Sequence, residues 1–168
     1  MNRVVISTKR LNLRKMRIDD VENLQEIFSD QIAMKYYPST KNEKETISWI
    51  SWTIDNYKNY GAGLWIVERK DTGAFLGQCG IVPQKIDGKT EMEIGYLFAR
   101  RSWGNGYATE AAGACKEYGF GQLQLSKLIS LPDVKNERSI KVAKRIGMKA
   151  EKTINKWGKE VLLFSALA

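Results

Sequence analysis

The chain has 168 residues and not one histidine. That single absence removes a Ser-His-Asp triad, a Cys-His dyad and the common zinc ligand sets together. Any acid–base chemistry must come from Glu, Asp, Tyr, Ser, Lys or backbone groups, and no metal is expected. Cysteine is scarce as well: Cys79 and Cys115 fall in the interiors of predicted elements. Such a pair reads as buried thiols in a reducing cytoplasm, not as a disulfide framework. Long apolar runs are missing, and Met1–Ser7 lacks the apolar centre of a signal peptide. A cytoplasmic protein with no membrane partner is therefore expected.

What is present is ordinary for one soluble domain spanning 1–168: 43% apolar and 27% charged residues. The net charge of +8 admits nucleic acid, an anionic surface or an acidic small molecule as a partner. Lys and Arg are scattered with no block of five, and no aromatic-basic RNA-binding signature is found. A solvated basic surface or an anionic ligand is favoured over nucleic acid.

Arg10–Met16 alternates polar and apolar residues, as a half-buried strand does. Asp19-x-x-Glu22 resembles a capping box ahead of the helical stripe Val21, Leu24, Ile27 and Phe28. Thr40-x-x-Glu43 marks a second helix with Ile47, Ile50, Ile54 and Tyr57 on one face, ending near Gly61 and Gly63. Strands follow at 64–70, 74–83 and 90–98, then a helix over 107–121 and a strand over 127–131. Asn136 can cap a helix carrying Ile140, Ala143 and Ile146, and strands over 148–156 and 160–167 finish the chain. The order describes a single α/β (α+β) domain: a mixed, mostly antiparallel sheet of about seven strands flanked by about four helices, unlike the strict alternation of a Rossmann domain.

The most informative segment is Arg101–Glu110. A strand ends before it, Gly104 and Gly106 permit a sharp turn, and an Ala-rich helix starts inside it. The first N–H groups of that helix lack intrahelical acceptors and sit at the positive end of its dipole. Strand, glycine turn and helix N-terminus together form a cradle for a phosphate or pyrophosphate. It is not a Walker A loop, because Gly-Lys-Ser/Thr is missing, and it does not spell Gly-x-Gly-x-x-Gly.

Three strings resemble the GNAT superfamily of N-acetyltransferases, and within it the RimJ/RimL-type branch, which acetylates N-terminal amines of ribosomal proteins. They are Met92-Glu93-Ile94-Gly95-Tyr96, Trp103-Gly104-x-Gly106-Tyr107-Ala108-Thr109-Glu110-Ala111, and Asn136-x-x-Ser139-x-x-Val142-x-x-Arg145-x-Gly147-Met148. Thr8–Arg14 adds to the likeness, which covers nearly the whole chain. The resemblance implies acetyl-CoA as co-substrate and an amine acceptor, either a peptide N-terminus (a ribosomal protein being one case) or a small molecule. A homodimer is left open. The superfamily's signature Arg/Gln-x-x-Gly-x-Gly/Ala fits in two phasings, Arg101-x-x-Gly104-x-Gly106 and Trp103-x-x-Gly106-x-Ala108, the full motif favouring the second. Phosphate binding would then rest on backbone N–H groups of Gly104, Asn105, Gly106, Tyr107, Ala108 and Thr109. By the same resemblance Asn136 contacts pantetheine; as a residue alone it reads equally well as a helix cap.

The implied reaction needs a neutral amine. An α-amine with a pKa of about 8 is roughly a tenth neutral at pH 7, whereas a lysine near about 10.4 is neutral at the ~10⁻³–10⁻⁴ level. An α-amine or another low-pKa amine suits a chain without histidine. By resemblance Glu93 is the candidate base, acting through a water, with Glu91 two residues earlier on the same strand face. A backbone N–H of Leu97, Phe98 or Ala99 is the expected oxyanion donor. Many relatives carry a proton-donating Tyr just after the Val142 position, where this chain has Ala143. Ser139 is the remaining candidate, and Ala143 also keeps open an acyl-CoA-binding regulator without catalysis. Tyr36, Tyr37, Trp49 and Trp52 fall where this fold lines its acceptor cleft and read equally as core.

Overall fold

The computed structural model describes residues 4–168; Met1, Asn2 and Arg3, which open the segment read above for a signal peptide, lie outside the described residues. In chain order the elements are β1 (Val4–Ser7), β2 (Leu11–Lys15), α1 (Val21–Phe28), α2 (Glu43–Tyr60), β3 (Leu64–Arg69), β4 (Phe75–Ile86), β5 (Lys89–Phe98), α3 (Tyr107–Gly121), β6 (Lys127–Ser130), α4 (Glu137–Arg145), β7 (Lys149–Lys156) and β8 (Lys159–Leu167). They form an eight-stranded sheet in the order β1-β2-β3-β4-β5-β6-β8-β7. The strand beyond expectation is β1, a four-residue edge strand whose Val-Val-Ile-Ser sequence has no alternation to betray it.

One face of the sheet packs on α3 and α4 around Trp65, Cys79, Ile94, Phe98, Ala111, Ala112, Cys115 and Phe164. The other packs on α1 and α2 around Leu24, Ile27, Phe28, Ile50 and Ile66. Cys79 and Cys115 are fully buried free thiols with their sulfurs 3.6 Å apart, joining sheet to helix by packing.

Two helix starts differ from the sequence reading. Asp20, not Asp19, organises the entry to α1: it accepts the Arg17 N–H at 2.7 Å and takes Arg14 in a buried two-point pair at 2.9 and 2.7 Å. The α2 capping box is Asn42 with Glu45, two residues later than Thr40 and Glu43, with reciprocal bonds of 2.8 and 2.9 Å. The buried stripe of α2 is Thr46, Ile50, Thr53 and Asn56, while Ile47 lies outward. Both threonines can be buried because their hydroxyls donate to helix carbonyls, Thr46 to Asn42 and Thr53 to Trp49.

β4 runs on to Ile86, past the predicted end at 83. β3 pairs with it only as far as Gly80, so Pro83 sits where no strand needs its missing N–H. At Gly80 itself a Cβ would lie 1.9 Å from the Gly63 carbonyl oxygen, so the close passage of β3 demands glycine.

Candidate active site

All strand neighbours in the sheet are antiparallel except β5 and β6, which run parallel and are registered at Glu93 and Ile129 alone. β6 ends at Ser130, ahead of Leu131-Pro132, while β5 continues to Phe98. The Ala99 N–H donates to the Leu76 carbonyl at 2.9 Å, on the β4 side. Backbone groups alternate along a strand, so those of Leu97 also face β4 and those of Tyr96 and Phe98 face the open seam. A cleft of about 610 Å³ occupies this seam. A wider groove of about 1090 Å³ lies outside α3 against β1, but it is open-sided and holds neither Glu93 nor Ser139.

The cleft is floored by the turn into α3. Gly104 and Gly106 adopt left-handed φ values of 82° and 79°. The first helical bond runs from the Glu110 N–H to the Gly106 carbonyl at 3.1 Å. The N–H groups of Tyr107, Ala108 and Thr109 have no acceptor among the described residues, and they point from the helix's positive end. The turn is braced from behind. Asn105 Nδ2 donates to the Ser102 carbonyl at 2.9 Å, Arg10 Nη1 donates to the Asn105 carbonyl at 2.9 Å, and Arg10 Nε pairs with Glu110 at 2.7 Å. Trp103 Nε1 donates to the Phe98 carbonyl at 2.9 Å, and the Arg138 guanidinium stacks 3.7 Å from the centre of the Trp103 ring. Arg138 has no carboxylate partner among the described residues, so α4 brings an uncompensated cation to the cleft wall.

On the α4 wall, Asn136 Oδ1 accepts the Ser139 N–H at 3.2 Å as the helix cap, leaving its Nδ2 without an acceptor among the described residues. The Ser139 hydroxyl lies 2.9 Å from the Tyr96 phenol oxygen. Glu93 stands at the closed end of the seam, on the opposite sheet face from Tyr96. It is half-buried and accepts a bond from Gln84 Nε2 at 2.9 Å. Burial of its carboxylate pushes its pKa up to about 7, against the lowering effects of Gln84 and the Lys156 ammonium.

The model of the acetyltransferase (GNAT) domain matches residues 10–149. The chain belongs to the GNAT acetyltransferase family. It is 51% identical to the protein YkkB of Bacillus subtilis (strain 168) over 94% of this chain and 92% of that one. A GNAT-family acetyltransferase of Bacillus anthracis superposes with a TM-score of 0.80 at 30% identity, covering 99% of this chain and 98% of that one. The fold is also that of Mycobacterium smegmatis RimJ, solved with a CoA disulfide: TM-score 0.79, 22% identity, 94% of this chain and 82% of that one. The GNAT superfamily named from the sequence is thus the right one, and the protein is an acyltransferase.

Within this GNAT domain, one cleft gathers Leu97, Phe98, Trp103, Gly104, Gly106, Tyr107, Ala108, Thr109, Asn136 and Ser139. Ala99 is a correction: it is buried and its N–H is used by Leu76, so it offers no oxyanion donor. Asn105 is outside the lining because its side chain braces the turn, leaving only its main chain for a ligand. Glu93 is not in the lining either; it lies around the β5 edge from Ser139. Of the aromatics, Tyr36 and Tyr37 border the cleft, whereas Trp49 bonds Gln78 at 3.1 Å and stacks on Trp52 away from it. Sequence reasoning passed over Tyr96 and Arg138. Both lie inside quoted motif strings, but only the tertiary partners, Ser139 and Trp103, give them a use.

Proposed function

We propose that the protein transfers an acetyl group from acetyl-CoA directly to a primary amine, a protein N-terminal α-amine or a small-molecule amine. The observation that carries this reading is the row of N–H groups at Tyr107, Ala108 and Thr109 without acceptors among the described residues, set at the mouth of the seam where β5 and β6 part. Those groups can take the diphosphate, with the Arg138 cation beside them. The pantetheine arm would enter the seam along Phe98, past the free Nδ2 of Asn136. The Phe98 N–H, directed into the seam, is the donor for the tetrahedral oxygen.

Glu93 is the base. A carboxylate raised to about 7 accepts a proton more readily than an ordinary glutamate and is still ionised in about half of the molecules at neutral pH. Its place across the β5 edge from the cleft fits transfer through a water. Ser139 is the proton donor to the departing sulfur.

Release of CoA thiol from acetyl-CoA, followed with peptide N-termini (ribosomal-protein sequences among them), polyamines and other small amines, tests the proposal. Turnover with at least one amine is expected, reduced by Glu93→Gln. Firm CoA binding without turnover, indifferent to Glu93→Gln, would favour the acyl-CoA-binding regulator. That second reading draws on Ala143, which is fully buried and presents no hydroxyl from α4.

A further inference from the structure

Tyr96 is half-buried on β5, and its phenol oxygen lies 2.9 Å from the Ser139 hydroxyl and 2.9 Å from the Ser139 carbonyl. The three oxygens share two protons, and two arrangements bond the hydroxyls to each other. In one, Tyr96 donates to the carbonyl and the serine proton is turned back onto the phenol. In the other, Tyr96 donates to the serine oxygen, and the serine proton is free to point into the cleft. Helical geometry already gives the Ser139 carbonyl an acceptor role toward the Ala143 N–H, so it does not depend on the phenol. Asn136 fixes the serine backbone from the other side by capping its N–H at 3.2 Å. Both hydroxyl-bearing residues line the cleft, on facing walls.

We infer that Tyr96 is a positioning residue that orients and recharges the Ser139 hydroxyl, so that a two-hydroxyl chain from β5 to α4 protonates the thiolate leaving the acyl group. This rests on the acetyl-transfer reading above. As the tetrahedral intermediate collapses, the carbon–sulfur bond breaks and its electron pair goes to sulfur. Sulfur takes the Ser139 proton while Ser139 takes the Tyr96 proton, and solvent restores the phenol. The proton lost by the newly acylated nitrogen goes to Glu93, so the net movement is one proton from nitrogen to sulfur. Burial pushes the Tyr96 pKa up, which keeps the phenol protonated and available as a donor to the Ser139 oxygen.

The test compares wild type, Tyr96→Phe, Ser139→Ala and the double variant, using acetyl-CoA, S-acetyl-pantetheine and the S-acetyl ester of thiophenol with one amine acceptor. With acetyl-CoA, Tyr96→Phe is expected to lower kcat about 10- to 100-fold while the acetyl-CoA KM stays within about twofold. The loss should persist with S-acetyl-pantetheine and shrink to a few-fold with the thiophenyl ester, whose acidic thiol leaves without a proton. The double variant should be no worse than the more damaged single variant. A Tyr96→Phe enzyme as fast as wild type overturns the inference, as does a loss of equal size for alkyl and aryl leaving groups, which marks a packing role. A wild-type protein that binds CoA but turns over none of the esters sinks the acetyl-transfer reading itself, and this chain of hydroxyls with it.

Discussion

β5 has two neighbours and meets them differently. With β4 it keeps ten residue pairs in unbroken antiparallel register, from Gly77 opposite Phe98 to Ile86 opposite Lys89. With β6 it is registered in parallel at one pair, Glu93 and Ile129. The first seam is closed because a hairpin joins its strands and they meet closely enough that a Cβ at Gly77 would lie 2.5 Å from the Leu97 carbonyl oxygen. The second is open because its strands are joined through α3, whose N-terminal turn lies beyond the end of β5, and because β6 stops ahead of Pro132. The closed seam gives the sheet rigidity; the open one exposes strand edge and helix-terminal N–H groups together, the only kind of backbone able to receive a ligand. Stability should therefore be concentrated in one seam and chemistry in the other.

The sharpest way to break the comparison is at Gly77. Gly77→Ala drives a Cβ into the Leu97–Phe98 backbone of β5 and is expected to cost about 3 kcal/mol or more of stability, seen as a lower urea midpoint. In the open seam, Glu93→Gln should leave folding intact and lower kcat/KM about 100-fold, read in the thiol-release assay. Wild-type rate should climb as pH passes about 7, where the Glu93 carboxylate forms, and the variant should keep only the rise that deprotonation of the acceptor amine gives. Thermal melts give a second readout. The raised pKa means Glu93 favours the folded state at low pH and loses that contribution as pH rises through about 7. The glutamine variant should thus gain on wild type at pH 8 relative to pH 5.

Gly106→Ala has to place a Cβ at a φ of 79°, which strains the cradle by about 1–2 kcal/mol. CoA affinity should fall about tenfold by calorimetry, with the closed seam and the urea midpoint little changed. Smallest of all, Arg138→Ala should weaken CoA about fivefold and leave S-acetyl-pantetheine kinetics unchanged, because that ester lacks the diphosphate. The difference should narrow as salt is raised. If Arg138→Ala hurts both esters alike, the guanidinium serves the seam wall and not the phosphates.

The readable parts of this protein were those in which local sequence carries the constraint. The glycine turn before an Ala-rich helix announced the cradle, and Asn136 announced a cap that is present with its Oδ1 on the Ser139 N–H. The capping box of α2 was placed two residues early because Thr40/Glu43 and Asn42/Glu45 both satisfy the pattern. Only the packing of Thr46 and Ile50 selects between them. Ala99 was misjudged for a related reason: which edge of a strand an N–H faces depends on which neighbour pairs with it, and Leu76 is twenty-three residues away in sequence. Tyr96 and Arg138 could not be singled out, since their partners are supplied by other elements.

Sequence by itself determined the family and the geometry of the cradle: the chain holds no histidine, and glycine at 104 and 106 allows the left-handed turn that uncovers helix-terminal donors. The tertiary structure decided where β5 and β6 part, which edge of β5 faces the gap, and how much Glu93 is desolvated. The reason is physical: turn and helix signals act over a few neighbouring residues, whereas a strand edge becomes available, and a carboxylate loses its water, only when distant segments have taken their places around it.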